Sequence, residues 1–425
     1  MRLIYSLLMV LALPFICIRL WWRARRQPAY LKHVAERFGY YGAYRVSPLN
    51  SKPVIWMHAV SVGETRAAEP LLRALLEKYP DHRILLTHMT PTGRETGETL
   101  FGNQANDIEN IWRCYLPYDY PGAVTRFLDH FRPSVGILME TEIWPNLVHA
   151  CKARVTPIYL VNARLSEKSF AGYRRLGSFT LETLRAFRAI AAQSIDDAQR
   201  FEALGASNVS VMGNLKFDVA PSTVQLALGE QLRKSFGARQ VLLAGSTREG
   251  EEILLLTNKL HEIPNVLLVI VPRHPQRFDE VAALLEHHQV NYQRRSANQP
   301  IHDQTQVLLG DSMGEMVAYY AACDVAFIGG SLLPLGGQNL IEACAVGKPV
   351  LIGPHTHNFA EASESAVTEG AALRVEDAPD LQLKASALLA NPEALARMSA
   401  AGLAFSGEHR GATATLLVLI RFQAK

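Results

Sequence analysis

The sequence predicts an α/β protein made of two doubly wound, Rossmann-like domains, each with a parallel sheet. In the first half of the chain, short apolar runs alternate with helix-like patterns, and the same rhythm returns after an interruption at residues 219–228. The runs are nearly continuous, which is typical of strands covered on both faces. The 425 residues, 48% of them hydrophobic, suffice for two domains of about 200 residues.

The strands of the first domain are predicted at residues 54–60, 84–89, 135–139, 158–161, 190–192 and 209–212. Those of the second are predicted at 241–245, 266–271, 307–309, 325–328 and 350–352. We assign residues 27–222 to an N-terminal domain and 223–425 to a C-terminal domain, and we expect the two to face each other across a cleft. A final apolar run at 416–420 could pack back across the hinge.

Residues 1–26 have the pattern of a membrane anchor with a basic flank. An apolar run at residues 3–18 precedes Arg19, the pair Trp21-Trp22 and further arginines. The run is a little short of the ~20 residues that span a bilayer, so a tilted span and a helix lying in the interface both remain open. The basic cluster after the run predicts that the rest of the chain stays in the cytoplasm. A buried N-terminal helix is the alternative.

Several chemistries are excluded by missing motifs. The chain has no G-x-x-x-x-G-K-[ST], H-E-x-x-H or G-x-S-x-G motif, which argues against a Walker NTPase, a zincin and a serine hydrolase. His355 and His357 lack partners at metal-ligand spacing, so no metal site is expected. Five scattered cysteines without C-x-x-C indicate a reducing compartment.

Glu64 is the first candidate catalytic residue. It lies in S-V-G-E-T, directly after the first predicted strand and in the first turn of the next helix. A carboxylate there gains about 0.3–1 kcal/mol from the helix dipole, which would explain it without catalysis. It could equally take a proton from an attacking hydroxyl, since Gly63 lets a substrate approach the backbone. The residues alone leave both interpretations open.

Two further candidates follow later strands. Glu140 ends a strand in M-E-T-E-I-W-P-N and would share a side with Glu142 if the extended geometry continued. Pro145 suits the first helical position, so Thr141 or Glu142 could instead be a helix cap. Lys216 lies in G-N-L-K-F-D at the end of the domain, and an ion pair with Asp218 is the alternative to a role in a site.

Residues 307–353 predict a nucleotide-sugar site. Three apolar segments there run into glycine-marked turns followed by helix-like patterns, and helix N-termini at the carboxyl ends of parallel strands attract phosphate. Asn339 and Glu342, three apart on a helix predicted to open at Gly336-Gly337, could bind ribose hydroxyls. Arg248 and Arg273, which follow two earlier strands, could clamp a phosphate.

Nine motifs in this order resemble those of the Kdo (3-deoxy-D-manno-octulosonic acid) transferases of lipopolysaccharide assembly. They are S-V-G-E-T, M-T-P-T-G, Y-L-P-Y-D, M-E-T-E-I-W-P-N, N-A-R-L-S, G-N-L-K-F-D, V-P-R-H-P, G-D-S-M-G-E-M and G-G-S-L. The resemblance implies the GT-B fold, CMP-Kdo as donor, and a bisphosphorylated lipid A precursor (lipid IVA) as acceptor at the cytoplasmic face of the inner membrane. It implies no metal, no other cofactor and no nucleic acid partner.

The resemblance also implies roles for individual residues. Glu64 would be the general base of an inverting transfer, while Glu140 and Lys216 would stabilise the transition state. The implied CMP-binding residues are Ser246, Arg248, Pro272, Arg273, Met313, Gly314, Glu315, Met316, Asn339, Leu340, Ile341 and Glu342. One departure is Gln338, where the family usually has histidine; glutamine can still donate a hydrogen bond.

Two other functions remain open at this point. A GT-B transferase or epimerase that uses a UDP-sugar would have the same fold. A membrane-tethered binding protein could keep a nucleotide-sugar pocket without turnover, although the retention of Glu64, Glu140 and Lys216 argues against it.

Overall fold

The computed structural model describes residues 1–42, 44, 52–102 and 110–420. They divide into two compact units, here called unit 1 and unit 2. Unit 1 contains Met1–Val219 and the described residues from Arg410 onward, and unit 2 contains Ala220–His409. The division after residue 219 lies close to the boundary expected after residue 222.

Unit 1 is built on a parallel sheet, as predicted. Its described strands are β1 (Val54–His58), β2 (Arg83–His88), β3 (Ile111–Tyr115), β4 (Val135–Met139), β5 (Ile158–Ala163), β6 (Ala189–Ala192) and β7 (Val209–Val211). Their spatial order is β3-β2-β1-β4-β5-β6-β7, so the strand order reverses between β1 and β4. In such sheets ligands bind outside the carboxyl ends of the strands at this reversal.

The helices of unit 1 that precede unit 2 connect these strands or lie before them. They are α1 (Arg2–Arg26), α2 (Val62–Lys78), α3 (Pro91–Phe101), α4 (Pro121–Phe131), α5 (Pro145–Ala153), α6 (Glu167–Arg175), α7 (Ser178–Leu184) and α8 (Ile195–Ala203). Short 3-10 helices lie at Pro28–Leu31, Val34–Phe38 and Leu215–Asp218.

Helix α2 illustrates how the sequence sets these elements. Ser61 caps its N-terminus through its side chain, and the helix ends at Lys78, with Tyr79 as the C-cap residue before Pro80. Leu71, Leu72 and Leu75 fall on one helical face and are fully buried. Burial of each contributes roughly 1.5–3 kcal/mol to stability, so α2 is held firmly against the sheet.

Unit 2 repeats the architecture. Its described strands are β8 (Gln240–Thr247), β9 (Val266–Pro272), β10 (Tyr292–Arg294), β11 (Val307–Leu309), β12 (Val325–Ile328), β13 (Val350–Ile352) and β14 (Ala372–Arg374). They are parallel in the order β10-β11-β9-β8-β12-β13-β14, and the order reverses between β8 and β12.

The helices of unit 2 are α9 (Thr223–Ser235), α10 (Glu251–Thr257), α11 (Phe278–His287), α12 (Met316–Ala322), α13 (Ile341–Ala345), α14 (Ala360–Thr368), α15 (Ala378–Leu389) and α16 (Pro392–Glu408). Short 3-10 helices lie at Leu260–Glu262, Pro275–Arg277 and Arg295–Ala297. Helix α9 occupies the segment where the apolar rhythm is interrupted. The predicted fold class, two doubly wound domains, is thus confirmed for each unit.

The C-terminal helix α17 (Ala412–Leu419) belongs to unit 1, which corrects the assignment of residues 223–425 to the second domain. Ala412, Leu416 and Ile420 are buried in the apolar cluster formed by β1 and α2. The Asp218 carboxylate accepts hydrogen bonds from the backbone N–H groups of Gly411 and Thr413 at the start of this helix. The segment returns because its apolar side chains find cover in unit 1.

Three strands are not predicted by the apolar pattern: β3, β10 and β14. All three lie at sheet edges. Each contains an arginine, namely Arg113, Arg294 and Arg374. An edge strand is covered less completely than a central one, so it does not need a continuous apolar run.

Candidate active site

Glu64 lies beyond the carboxyl end of β1, where the strand order of unit 1 reverses. It occupies the first turn of α2, as predicted. Its carboxylate accepts a hydrogen bond from the Ser61 hydroxyl at 3.0 Å and one from the Val60 backbone N–H at 2.9 Å. These bonds cap the helix, and they also fix the position of both carboxylate oxygens.

The backbone before α2 packs closely against the start of α3. A Cβ atom on Gly93 would lie 2.8 Å from the carbonyl oxygen of Val60, a separation that real Cβ atoms do not adopt. The Thr90 hydroxyl donates to the same oxygen at 3.1 Å. The motif M-T-P-T-G therefore supports the turn that carries Glu64, and it needs glycine there for this close approach.

The pKa of Glu64 is raised to about 7. Withdrawal from water is the largest cause, and the negative charges of Glu140 and Glu142 also raise it. The Val60 N–H and His58 act in the opposite direction. A carboxylate that titrates near neutral pH can be ionised and still accept a proton efficiently, which is the property a general base needs.

Glu140 follows β4, and its carboxylate contacts two cations. Its Oε1 lies 3.6 Å from Lys216 Nζ, and its Oε2 lies 3.4 Å from Arg164 Nε. Its φ of 54° is left-handed, a conformation that costs a non-glycine residue about 1–3 kcal/mol and that is concentrated at functional sites. The extended geometry therefore stops at Glu140, so the condition for Glu140 and Glu142 to share a side is not met.

Lys216 reaches Glu140 because the backbone around it is anchored. The Leu215 N–H donates to the buried side-chain oxygen of Asn162 at 3.0 Å. The alternative partner expected for Lys216, Asp218, binds the start of α17 instead. The structure thus brings together Glu140 and Lys216, which lie far apart in the sequence.

His58 and Arg164 lie in the site, although neither is among the candidate residues predicted from the sequence. His58 ends β1 within an apolar run, where a histidine is typical of the core, and Arg164 follows β5 in N-A-R-L-S. In the buried His58 ring, Nδ1 forms a hydrogen bond with Thr87 Oγ1 at 2.9 Å, and Nε2 lies 3.8 Å from Glu142 Oε2. Their positions at strand ends are the available sequence signal.

Glu142 does not cap α5. The cap residue is Trp144, which makes no side-chain capping bond, and Pro145 takes the first helical position as predicted. The Glu142 carboxylate instead accepts a hydrogen bond from the Trp144 indole N–H at 2.7 Å. Three carboxylates, Glu64, Glu140 and Glu142, therefore lie near the reversal of strand order in unit 1.

In unit 2 the predicted donor-binding residues gather at the carboxyl ends of four neighbouring strands: β11, β9, β8 and β12. Ser246 lies within β8, and the next helix, α10, starts at Glu251. Pro272 ends β9, and Arg273 follows it. The N–H of Arg273 donates to the Thr247 carbonyl at 3.0 Å, which joins the ends of β8 and β9.

Arg248, Arg273 and Gln338 converge near Gly330. A Cβ atom on Gly330 would lie 3.2 Å from Gln338 Nε2 and 3.4 Å from Arg248 Cγ. Gln338 Oε1 accepts a hydrogen bond from Arg273 Nε at 3.1 Å. Gln338, the departure from the family pattern, therefore orients one of the two arginines expected to clamp a phosphate.

The turns at the ends of β8 and β12 are tied together by Glu251. Its buried carboxylate accepts hydrogen bonds from the backbone N–H groups of Arg248 at 2.9 Å, Gly330 at 2.5 Å and Leu332 at 3.1 Å. Burial raises the pKa of Glu251, and the three hydrogen bonds oppose that rise. One side chain thus fixes the backbone on both sides of the strand reversal in unit 2.

Met313, Gly314 and Glu315 lie before α12, which begins at Met316. Gly314 has a positive φ of 79°, and Met313 is exposed. Glu315 accepts a hydrogen bond from the Ser312 hydroxyl at 2.7 Å. The Ser246 hydroxyl lies 3.7 Å from the Met316 sulfur, so predicted donor residues from the ends of β8 and β11 are in contact.

Helix α13 also begins later than expected, at Ile341, so Asn339 and Leu340 precede it. Asn339 still meets Glu342, since its side-chain N–H donates to Glu342 Oε1 at 3.1 Å. The side chains of Leu340 and Ile341 are buried. Only their backbone groups could contact a ligand, whereas Asn339 and Glu342 present polar atoms. The delay follows from Gly336 and Gly337, whose positive φ angles of 94° and 72° are not helical.

Comparison with known proteins gives two family matches. Residues 32–219 match a family described as 3-deoxy-D-manno-octulosonic-acid transferase (kdotransferase), and residues 245–404 match glycosyl transferases group 1. The chain is 45% identical to the 3-deoxy-D-manno-octulosonic acid transferase of Bordetella pertussis over 421 residues, which is 96% of each chain. It is 37% identical to that of Haemophilus influenzae, over 99% of this chain and 98% of the relative.

Among solved structures, the fold is similar to UDP-GlcNAc 2-epimerase from Neisseria meningitidis bound to UDP-GlcNAc. The TM-score is 0.58 at 16% identity, over 86% of this chain and 98% of the epimerase. That likeness concerns the fold alone, and it confirms the predicted GT-B architecture.

Proposed function

The chain belongs to the family of 3-deoxy-D-manno-octulosonic acid (Kdo) transferases, and on that premise we propose that it transfers Kdo from CMP-Kdo to a hydroxyl of lipid IVA, the bisphosphorylated lipid A precursor, with inversion at the anomeric carbon. The protein is a glycosyltransferase that transfers Kdo in lipopolysaccharide biosynthesis. Its donor, its acceptor and the course of the reaction are the proposed parts.

Glu64 is the general base in this proposal. Its pKa of about 7 is the observation that carries the assignment. Two hydrogen bonds hold the carboxylate, and its remaining lone pairs can accept a proton from the acceptor hydroxyl. As that O–H bond breaks, the oxygen forms a bond to the anomeric carbon of Kdo. The bond from that carbon to the CMP phosphate breaks, and CMP leaves as an anion.

Glu140 and Lys216 stabilise the transition state in this proposal. The anomeric carbon gains positive character during transfer, and preorganised carboxylates offset such charge. The contact between Glu140 and Lys216 at 3.6 Å supports a joint role, because a carboxylate that is only 8% exposed is removed from most of its water and depends on a nearby cation.

The donor is held by unit 2 in this proposal. The arginines Arg248 and Arg273 bind the CMP phosphate, and Asn339 with Glu342 binds the ribose hydroxyls. Ser246, Pro272, residues 313–316 and the backbone of Leu340 and Ile341 complete the CMP site. The convergence of Arg248, Arg273 and Gln338 near Gly330 supports this assignment. No step is assigned to a metal or to another cofactor.

We also propose that the protein works at the cytoplasmic face of the inner membrane and is held there by α1. The supporting observation is one apolar helix in the described part of the chain, Arg2–Arg25, that is long enough to cross a membrane and that carries Trp21, Trp22 and arginines near its end.

The test is incubation of the purified protein with CMP-Kdo and lipid IVA, followed by mass spectrometry of the lipid. A mass increase by one or more Kdo residues is expected, together with release of CMP. Parallel reactions with UDP-sugars should leave the lipid unchanged. An unchanged lipid mass with CMP-Kdo, in a preparation that still binds CMP, would reject the proposed acceptor.

A further inference from the structure

Helix α1 is attached to unit 1 near both of its ends. At its start, the Tyr5 hydroxyl donates to the buried Asp119 carboxylate at 2.9 Å, and the Ser6 hydroxyl donates to Asn146 Oδ1 at 2.8 Å. Near its end, Leu20 and Ala24 are buried against the protein. The helix therefore packs along the surface of unit 1 and does not extend away from it.

These contacts are incompatible with a bilayer-spanning helix. A span needs about 20 residues within roughly 30 Å of hydrocarbon. The stretch between Ser6 and Leu20 is only about 20 Å long at a rise of 1.5 Å per residue. As long as both attachments hold, α1 cannot cross the membrane. It can, however, lie parallel to the membrane surface.

The outer face of α1 is apolar. Side chains spaced four and three residues apart form one helical stripe, and each is more than half exposed. They are Ile4, Leu8, Leu11, Phe15, Ile18 and Trp22. An uncovered apolar stripe of this length is typical of a helix that lies in the membrane interface.

A cationic cavity adjoins the start of this helix. Its volume is about 470 Å³, and it is lined by Arg2, His149, Lys152, Ala153, Glu182 and Arg185. Three arginine and lysine side chains thus face one carboxylate. The pKa of His149 is lowered, first by burial and then by the positive charge of Arg2; Glu182 opposes this shift and Lys152 adds to it. The basic side chains outnumber the single carboxylate, so the lining carries an excess of positive charge. A bound anion would offset that excess.

We propose that α1 lies in the membrane interface and that this cavity binds the phosphate headgroup of an anionic phospholipid from the same membrane. Arg2 belongs to both features: it begins α1 and it lines the cavity. A phospholipid in this place could insert its acyl chains beside the apolar stripe while its phosphate is held by Arg2, Lys152 and Arg185. Charge complementarity, and the position of Arg2 only two residues before Ile4, where the stripe begins, select a lipid over a soluble ligand. The inference shares only the membrane with the proposed function and is independent of the donor and the acceptor.

Vesicle binding tests the cavity. The full chain is mixed with phosphatidylcholine vesicles, with or without phosphatidylglycerol, and the bound fraction is measured by flotation. The variant K152A/R185A should bind phosphatidylglycerol vesicles roughly 20- to 30-fold more weakly, since each basic residue near such a surface contributes about fivefold. Its binding to pure phosphatidylcholine vesicles should be unchanged, because the apolar stripe is intact.

The matched control is K234A/R397A, which removes two exposed basic residues of unit 2. It should lose less than about twofold. An equal loss in the two double variants would overturn the cavity as a headgroup site. An excess of inorganic phosphate at constant ionic strength should not release the protein from the vesicles, and release would reassign the cavity to a soluble anion. Thermal unfolding, with K152Q/R185Q as a second variant, checks that each protein is folded.

Protease access tests the orientation of α1. An epitope placed before Met1 should be cleaved in intact inside-out membrane vesicles, in which unit 1 and unit 2 face the medium, because an interfacial helix keeps its N-terminus on that side. Protection of the epitope until detergent is added would mean that α1 spans the membrane, and it would overturn the inference. Neither test measures Kdo transfer, so its failure is distinguishable from failure of the proposed function.

Discussion

The ammonium of Lys216 lies 3.6 Å from Oε1 of Glu140, and the guanidinium of Arg164 lies 3.4 Å from Oε2 of the same carboxylate. Glu140 is nearly buried and has a left-handed backbone conformation. Water has little access to such a carboxylate and cannot replace a partner that is removed. The effects of mutations at Glu140 and Lys216 should therefore depend on each other.

We therefore expect the effects of Glu140→Gln and Lys216→Met on turnover to be non-additive. Each change should lower kcat, and the double variant should lose less than the sum of the two. The coupling should amount to about 0.5–3 kcal/mol, as is usual for residues in direct contact. The control is the exposed pair Glu69 and Arg73, which lies at 2.8 Å on the outside of α2; its double variant should leave kcat unchanged. Strict additivity at Glu140 and Lys216 would argue against a joint role.

Glu64→Gln should lower turnover by roughly 10²–10⁴-fold, the range observed for loss of a general base. The amide cannot accept the hydroxyl proton, although it can preserve the hydrogen bond from the Val60 N–H. CMP binding, measured by calorimetry, should be unaffected because the proposed donor residues belong to unit 2. Glu77→Gln on the exposed side of the same helix is the matched control. Near-normal turnover of Glu64→Gln would remove the residue from the mechanism.

The pH dependence of kcat/KM should follow Glu64. Its pKa is raised to about 7, and the base must be ionised, so the rate should increase about tenfold per pH unit below 7 and level off above it. Since Glu140 is one cause of the raised pKa, the residual activity of Glu140→Gln should titrate at lower pH. A flat profile between about pH 5.5 and 8 would contradict the assignment.

The titration of Glu64 also affects the stability of the fold. Its pH dependence has the opposite sign from that of a salt-bridged carboxylate, whose pKa is lowered by folding. A folded-state pKa above the unfolded value means that the protonated group stabilises the fold; this contribution is complete below the unfolded pKa and is lost as the pH rises through about 7. The difference in thermal stability between Glu64→Gln and the unmodified protein should therefore favour the variant more at pH 8 than at pH 5. No change in this difference with pH would indicate that Glu64 titrates elsewhere.

Gln338→Leu should weaken donor binding. It removes the acceptor that holds Arg273 Nε at 3.1 Å, and a hydrogen bond to a charged group contributes about 1.5–3 kcal/mol. We expect KM for CMP-Kdo to rise roughly tenfold or more, with a smaller effect on kcat. Gln338→His keeps a polar side chain that can accept a hydrogen bond from Arg273, so it should retain much of the affinity for CMP-Kdo. If Leu and His behaved alike, Gln338 would not orient the arginine.

Glu251→Ala should destabilise unit 2. Three backbone N–H groups, from Arg248, Gly330 and Leu332, would lose their acceptor, and leaving each buried donor unpaired costs about 1–3 kcal/mol. Thermal unfolding should shift to lower temperature, and CMP binding should weaken because both turns loosen. Glu393→Ala at the exposed start of α16 should have neither effect. An unshifted transition for Glu251→Ala would show that the turns are held by other contacts.

The central strands of both sheets could be predicted because a strand covered on both faces needs an unbroken apolar run; β4, β11, β12 and β13 have the predicted bounds. Glu64, Arg248 and Arg273 could be placed near strand ends for the same reason. The edge strands β3, β10 and β14 could not, since partial cover permits polar residues.

What the sequence pattern could not provide was the partner of each charged group. Lys216 has an acid two residues away in Asp218, yet it pairs with Glu140, because only the packing of α17 determines where Asp218 points. The start of α13 was missed for a local reason: glycine signals a turn before a helix without fixing how many residues the turn takes. The pKa of Glu64 depends on burial and on carboxylates from another strand, which no local pattern contains.

The return of the chain to unit 1 at Arg410 gives unit 2 the character of an insertion. Asp218 precedes unit 2, and it binds the backbone at Gly411 and Thr413, which follow it. The points of departure and re-entry are therefore neighbours. Residues 220–409 therefore form an inserted domain whose two ends are adjacent, so a short linker could replace them without distorting unit 1. Conversely, a deletion at the C-terminus would damage the unit that contains Glu64, although that residue is near the start of the chain.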